Sequence, residues 1–294
     1  MIHVVGHTAI DNICKVERLP AKNSSIGIDT RKILFGGGAA NIAAGIAVLG
    51  GEVTLHSAVG GDFINSEYES WMENLGVKRN FFIVKDAHTA TAFMFTDKNG
   101  DQITFFEWGA SVAFTENRAP SLPFVHMATA DPAFNVQVAE KSEFATFDPG
   151  QDLYKYSKSD LQAILGNIQI LFSNEHEMKG MCEILGKTVH EITTKVPVTV
   201  VTEGGNGSSL YYDGKKTHIP IVKVTLADPT GAGDAYRAGF LTGYKKGYSL
   251  PECAKIGTVT SSFVVEKEGC QTNLADWNTM KNRYEQNFGP LSEL

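Results

Sequence analysis

Ala227-Asp228-Pro229-Thr230-Gly231-Ala232-Gly233-Asp234-Ala235 is a glycine-rich turn that delivers a carboxylate to the start of a helix read over Asp234 to Lys246 and stopped by Gly247. Gly231, Ala232 and Gly233 let backbone N–H groups approach a phosphate closely. The helix N-terminus favours negative charge, and Asp234 can take a proton from a hydroxyl nucleophile. The same residues also read as a tight turn with a helix N-cap, so the rest of the chain has to decide between the two.

Working outward, Phe144 to Phe147, Ile168 to Phe172 and Val198 to Val201 are short apolar runs separated by helix-length stretches. That spacing predicts buried parallel strands joined by helical crossovers. Ile2 to Val5 reads as another buried strand, followed by a mixed segment of loops and short strands with Asp11, Pro20 and Gly27. Thr91 to Thr96 and Gln102 to Phe106 flank the turn cluster Asp97-Lys98-Asn99-Gly100-Asp101 and predict a hairpin. A second hairpin is expected around Asp213-Gly214, before the run Ile219 to Val224, and Ser249-Leu250-Pro251-Glu252 fits a capping box. The fold class is therefore α/β, a three-layer core with a mainly parallel sheet. The strands left over, within about 13–34 and 91–108, suggest a small β-sheet covering one edge as a lid. With no linker or repeat, 1–294 reads as one domain.

Composition narrows the function. Of 294 residues, 43% are hydrophobic and 20% charged, enough for a substantial core. Lys and Arg number 26 against 33 Asp and Glu, a net charge of −7, with no basic block. Nucleic-acid polymers are disfavoured as partners because they demand a basic footprint. No apolar run is long enough to span a membrane, and the start has no signal-peptide layout, so the expected location is cytoplasmic. Cys14, Cys182, Cys253 and Cys270 are scattered without zinc spacing.

Further polar motifs follow predicted strands. Gly36-Gly37-Gly38-Ala39-Ala40-Asn41 is a flexible turn meeting a helix, where small residues admit a polyhydroxylated ligand and Asn41 offers a donor and an acceptor; it also reads as close helix packing. Asp11 is placed in the loop after the first strand, where a carboxylate can accept two hydrogen bonds from a vicinal diol or simply be solvated. In Asn174-Glu175-His176-Glu177, Glu177 is a candidate ligand for Mg²⁺ through water. Thr202-Glu203-Gly204-Gly205-Asn206-Gly207 can accommodate nucleotide phosphates, and no P-loop pattern occurs anywhere.

Together and in this order, these motifs resemble the ribokinase (PfkB) family of carbohydrate and nucleoside kinases over nearly the whole chain. The resemblance implies ATP and Mg²⁺ as cofactors and a ribokinase-like fold. It implies Asp234 as catalytic base and the amides of Gly231 to Asp234, Ala232 and Gly233 included, as an anion hole. It further implies Glu177 with Asn174 for Mg²⁺ and phosphates, and Thr202 and Gly204, with Gly207 in the same cluster, at the ATP site. Asp11, Gly37 and Asn41 would bind acceptor hydroxyls. Pro229 departs from the family's usual Thr, and Ala9 stands where sugar kinases commonly carry a polar residue.

The segments Gly6 to Asp11, Gln102 to Ala110, Phe147 to Leu153, Phe263 to Glu266 and Gly269 to Asn273 are most similar to the family's archaeal nucleoside kinases of broad specificity. The aromatic residues Phe93, Phe95, Phe105, Phe106 and Trp108 offer a stacking wall for a base, or else pack the lid on the core or a partner. The expected activity is phosphorylation of a ribonucleoside 5′-hydroxyl, with a sugar or sugar-phosphate kinase as the alternative and a non-catalytic sensor as the remaining one. The partner is a small-molecule substrate. A homodimer through edge-paired lids is a candidate assembly.

Overall fold

A computed structural model describes residues 1–294. Its strands are β1 (Ile2–Val5), β2 (Ala9–Val16), β3 (Ile28–Gly36), β4 (Val53–Gly60), β5 (Lys78–Val84), β6 (Ala90–Thr96), β7 (Gln102–Glu107), β8 (Val125–Met127), β9 (Ala145–Phe147), β10 (Ile170–Asn174), β11 (Val198–Thr202), β12 (Ser208–Tyr212) and β13 (Lys215–Ile219). Nine form one sheet in the order β13-β12-β11-β10-β9-β8-β1-β4-β5, parallel from β11 through β5. β12 and β13 add an antiparallel hairpin at the edge, turning at Asp213-Gly214. Only Ile219 of the run Ile219 to Val224 belongs to a strand.

Helices cover both faces of this sheet. On one side lie α1 (Gly38–Val48), α2 (Glu67–Asn74), α8 (Ala232–Lys246) and α9 (Leu250–Val264), with α10 (Trp277–Phe288) packed outside α9. On the other lie α3 (Ala113–Glu116), α4 (Pro132–Lys141), α5 (Lys158–Asn167), α6 (Glu175–Leu185) and α7 (Val189–Lys195). Alternation along the strands feeds two cores: Ile170 and Phe172 of β10 point into the first, Leu171 into the second. Such double-sided burial is why these strands are continuous apolar runs rather than alternating ones.

The remaining strands form a separate four-stranded sheet, β3-β2-β6-β7, with β6 and β7 as the expected hairpin. Asp11 is the main correction here. It sits inside β2, not in a loop, because β2 is an inner strand paired with both β3 and β6. The mixed segment is accordingly two long strands. The lid's register also sorts its aromatic residues. Leu34, Asp11, Ala92 and Phe106 lie abreast on the face toward the core, whereas Ile33, Asn12, Phe93 and Phe105 lie on the opposite face. Of the expected stacking wall, Phe106 lines the cleft below, while Phe93, Phe95 and Phe105 belong to the outward face. No helix is long and apolar enough to cross a membrane.

Candidate active site

The carboxyl ends of β1, β9 and β10 and the N-termini of α1, α6 and α8 converge beneath the small sheet on a cleft of ≈ 770 Å³. This is where open parallel sheets place ligands. Asp234, Gly231, Gly233, Asp11, Gly37, Asn41, Asn174 and Glu177 all line it.

Asp234 is in the first turn of α8, and the helix begins at Ala232, two residues before the expected start. The N-cap position is held by Gly231, in the left-handed region at φ 79°, with no side-chain cap. The N-cap reading of Asp234 therefore fails, and its carboxylate is left for other work. Asn41 Nδ2 donates to Asp234 Oδ2 at 2.9 Å, and Arg237 Nη1 lies 3.5 Å from Oδ1. Burial pushes the carboxyl above its ordinary value, against the pull of Arg237 and the Asn41 hydrogen bond.

The turn before α8 is held by Asp228, whose Oδ1 accepts from Thr230 N at 2.9 Å and Oδ2 from Gly269 N at 3.3 Å. Ala232 N is spent on the Pro229 carbonyl at 3.2 Å, so Ala232 contributes shape rather than a donor. The amides of Gly231, Gly233 and Asp234 donate to no protein acceptor. At the N-terminus of a 15-residue helix they form a ready anion cradle.

Across the cleft, the Asp11 carboxylate is only 7% exposed as a residue, yet accepts no hydrogen bond from the protein. Desolvation, with the nearby carboxylates of Asp234 and Asp228, pushes it up to about 7. Gly37 has to be glycine: φ is +92° and a Cβ would stand 2.5 Å from the His7 carbonyl. Asn41 is largely committed. Its Oδ1 accepts from Gln271 Nε2 at 2.9 Å, leaving one N–H beyond the bond to Asp234.

Asn174 is the N-cap of α6, and Glu177 accepts from its backbone N and its Nδ2, both at 2.8 Å. This reciprocal capping box presents a fixed, half-buried carboxylate to the cleft. No group of three His, Cys, Asp or Glu side chains comes together as a metal cage. That donor set fits Mg²⁺ held through waters and phosphate oxygens, with Glu177 as the protein's share. Thr202, Gly204 and Gly207 lie outside this cleft. Thr202 pairs with Asn174 at the end of β11, Gly204 opens a single turn, and Gly207 (φ +96°) packs against the Ile219 carbonyl.

Arg237 and His7 also line the cleft, and no local pattern in the sequence sets them apart. Arg237 is buried between Asp234 and Asp148, with Nη2 2.7 Å from Asp148 Oδ1. Burial works against its charge, yet Asp148, Glu177 and Asp234 together hold the guanidinium above its ordinary value. His7 contacts Ser111 Oγ at 2.9 Å and Asp152 Oδ2 at 3.1 Å, and lies edge-on to Trp108. Lys155 Nζ sits 3.1 Å from the Trp108 ring centre, closing that wall.

This arrangement sets an anion cradle and two carboxylates, Asp234 and Asp11, around one cavity, an arrangement suited to phosphoryl transfer to an alcohol. The comparisons agree. A nucleoside kinase of Methanocaldococcus jannaschii is 44% identical over 292 residues, 97% of each chain. The crystal structure of that archaeal member of the ribokinase family superposes with a TM-score of 0.92, covering 97% of this chain and 98% of that one. A Burkholderia thailandensis nucleoside kinase in complex with ADP-inosine follows at 27% identity and a TM-score of 0.87, covering 100% and 99%. The family model described as pfkB family carbohydrate kinase matches residues 1–277, and the chain belongs to that family of phosphotransferases.

Proposed function

We propose that this chain transfers the γ-phosphoryl group of ATP to the 5′-hydroxyl of ribonucleosides. The carrying observation is the placement of Asp234 beside the free amides of Gly231 and Gly233 and opposite an Asp11 carboxylate without a protein partner. Asp11 accepts the ribose diol, and the 5′-hydroxyl then lies toward Asp234, which takes its proton as the new P–O bond forms. The anion cradle stabilises the charge on the transferring group. Glu177 would hold the water shell of a Mg²⁺ ion, which when bound would neutralise phosphate charge. The relatives named as nucleoside kinases support a base-bearing acceptor, as does the polar lid wall of Gln102 and Thr104 beside Phe106.

The protein works in the cytosol, where its four cysteines remain unpaired thiols. It pairs as a homodimer through its lids, edge to edge along β3 or β7, the strands that carry the exposed Ile33, Ile103 and Phe105. The deciding experiment is ADP release from ATP with a panel of nucleosides, ribose, fructose and fructose 6-phosphate. Turnover confined to the free sugars or the sugar phosphate would refute the nucleoside assignment.

A further inference from the structure

Behind the cleft, a chain of hydrogen bonds, buried at its middle and half-buried at its two ends, leads to Asp234. The Trp71 indole N–H, on α2, donates to Gln271 Oε1 at 2.9 Å. Gln271 Nε2 donates to Asn41 Oδ1 at 2.9 Å and to the Tyr68 hydroxyl at 2.8 Å. Asn41 Nδ2 completes the path to Asp234 Oδ2.

The polarity of this chain is fixed at its far end. An indole nitrogen can only donate, so the Gln271 oxygen must face Trp71. The Tyr68 hydroxyl donates to the Gly36 carbonyl at 2.8 Å, so toward Gln271 it can only accept. Both anchors turn the Gln271 amino group toward Asn41. A donor there demands the Asn41 oxygen, which leaves the Asn41 amino group facing the carboxylate. Reversed, the Asn41 amide would set an oxygen against an anion.

We infer that Trp71 and Gln271 are positioning residues that set which end of the Asn41 amide faces Asp234. The inference rests on the reading of Asp234 as the base, because only then does the orientation of Asn41 govern turnover. The titratable and charged groups around Asp234 are Arg237 on α8, Glu177 on α6, Asp11 on β2, Asp148 after β9, Tyr68 on α2 and Cys270 in the loop after α9. Trp71→Phe leaves all of them in place, whereas Gln271→Glu adds a carboxylate whose own repulsion raises Asp234, so in that variant the amide response and not the limb reports the orientation.

The test compares wild type, Gln271→Glu and Trp71→Phe by the pH dependence of kcat and by NMR of the Asn41 side-chain amide, assigned through its loss in Asn41→Ser. In wild type that amide responds as Asp234 titrates. In Gln271→Glu the introduced carboxylate draws the Asn41 amino group to itself. The response is lost, kcat at pH 7 falls about tenfold or more, and the acid limb moves to higher pH. Trp71→Phe, which keeps the ring volume, gives the same changes at about two- to tenfold. An unchanged amide response in both variants, or a uniform loss of kcat with an unmoved limb in Trp71→Phe, would overturn the inference. If Asp234→Asn retains the wild-type limb, the base assignment fails instead, and the amide response alone still decides the orientation.

Discussion

The guanidinium of Arg237 meets the carboxylate of Asp148 at 2.7 Å, with the two side chains only 10% and 4% exposed. Breaking one half of such a pair strands the other charge in the interior, which costs about 3–5 kcal/mol. Arg237→Met is expected to lose that much in urea unfolding. Arg237→Met combined with Asp148→Asn should recover part of it, because Asp148 is then neutral and only Asp234, which keeps its Asn41 hydrogen bond, has lost a charged partner. Equal stability of wild type and the single variant would remove the pair from the account of the fold.

Asp234→Asn tests the base directly. Asn keeps the shape but cannot accept the proton, so kcat should fall at least about 10²-fold. The thermal midpoint should change little, because Asp234 caps nothing and Gly231 holds the N-cap position. Turnover near that of wild type would end the assignment.

What the sequence made legible is what depends on neighbours along the chain. The glycine turn into α8, the two hairpins, the parallel strands β9 to β11 and the capping box at Ser249 are all local patterns, and each is present. Asp11 reads as loop because an inner lid strand between two partners can carry the polar pair Asp11-Asn12, whose local polarity is that of a loop. Arg237 reads as an ordinary helical arginine until β9 brings Asp148 to it. The bonds from Gln271 to Asn41 and Tyr68 span 230 and 203 residues, and no pattern in one sequence announces them. Asn174 and Glu177 carried a signal that was available, since Asn-x-x-Glu is the same capping grammar as Ser249 to Glu252.

Asp11 predicts a pH dependence. Its carboxyl is pushed up to about 7, and it must be ionised to accept two hydroxyl hydrogen bonds. Acceptor kcat/KM, which reports the free enzyme, should therefore fall as pH drops through about 7, and Asp11→Asn should lack that limb. The stability sign is opposite. With a folded value above the unfolded one, the native state holds the proton more tightly, so stability declines as pH rises through this window. Asp11→Asn should therefore melt above wild type at pH 8, with the advantage shrinking at pH 5. A wild-type acceptor profile flat between pH 6 and 8 would contradict the placement.

Gly231 is needed both for its φ of 79° and for space, since a Cβ there would stand 2.8 Å from Cys270 Cβ and Sγ. Gly231→Ala should shift the turn and with it the amides of Gly233 and Asp234. Losing one well-aimed donor of this kind costs roughly 10²–10³-fold in kcat. KM for the acceptor should change far less, because Asp11 lies across the cleft on another element. A variant whose defect is confined to acceptor KM would show that these amides do not face the transferring group.

The lid gives the last prediction. Gln102, Thr104 and Phe106 of β7 face the cleft, while Ile103 and Phe105 face away, so an acceptor held by Asp11 as proposed would touch alternate residues of one edge strand. The sheet is also tied to the core by Glu268, which pairs with Lys32 and with Lys15 at 3.3 Å, both on lid strands. Surface pairs of this sort hold only weakly, at about 0–1 kcal/mol, so these two resist a movement of the lid only slightly. Closure excludes water that would otherwise compete with the acceptor for the phosphoryl group. A saturating nucleoside should slow amide hydrogen exchange across Thr91 to Trp108, and Glu268→Gln should quicken exchange in the free protein without changing the bound rate. ATP hydrolysis without acceptor should stay low in wild type, because the closed state forms only with the acceptor in place. Equal exchange with and without nucleoside would show that the lid is already closed in the free protein, and the exclusion of water would then have to be a fixed property of the cleft.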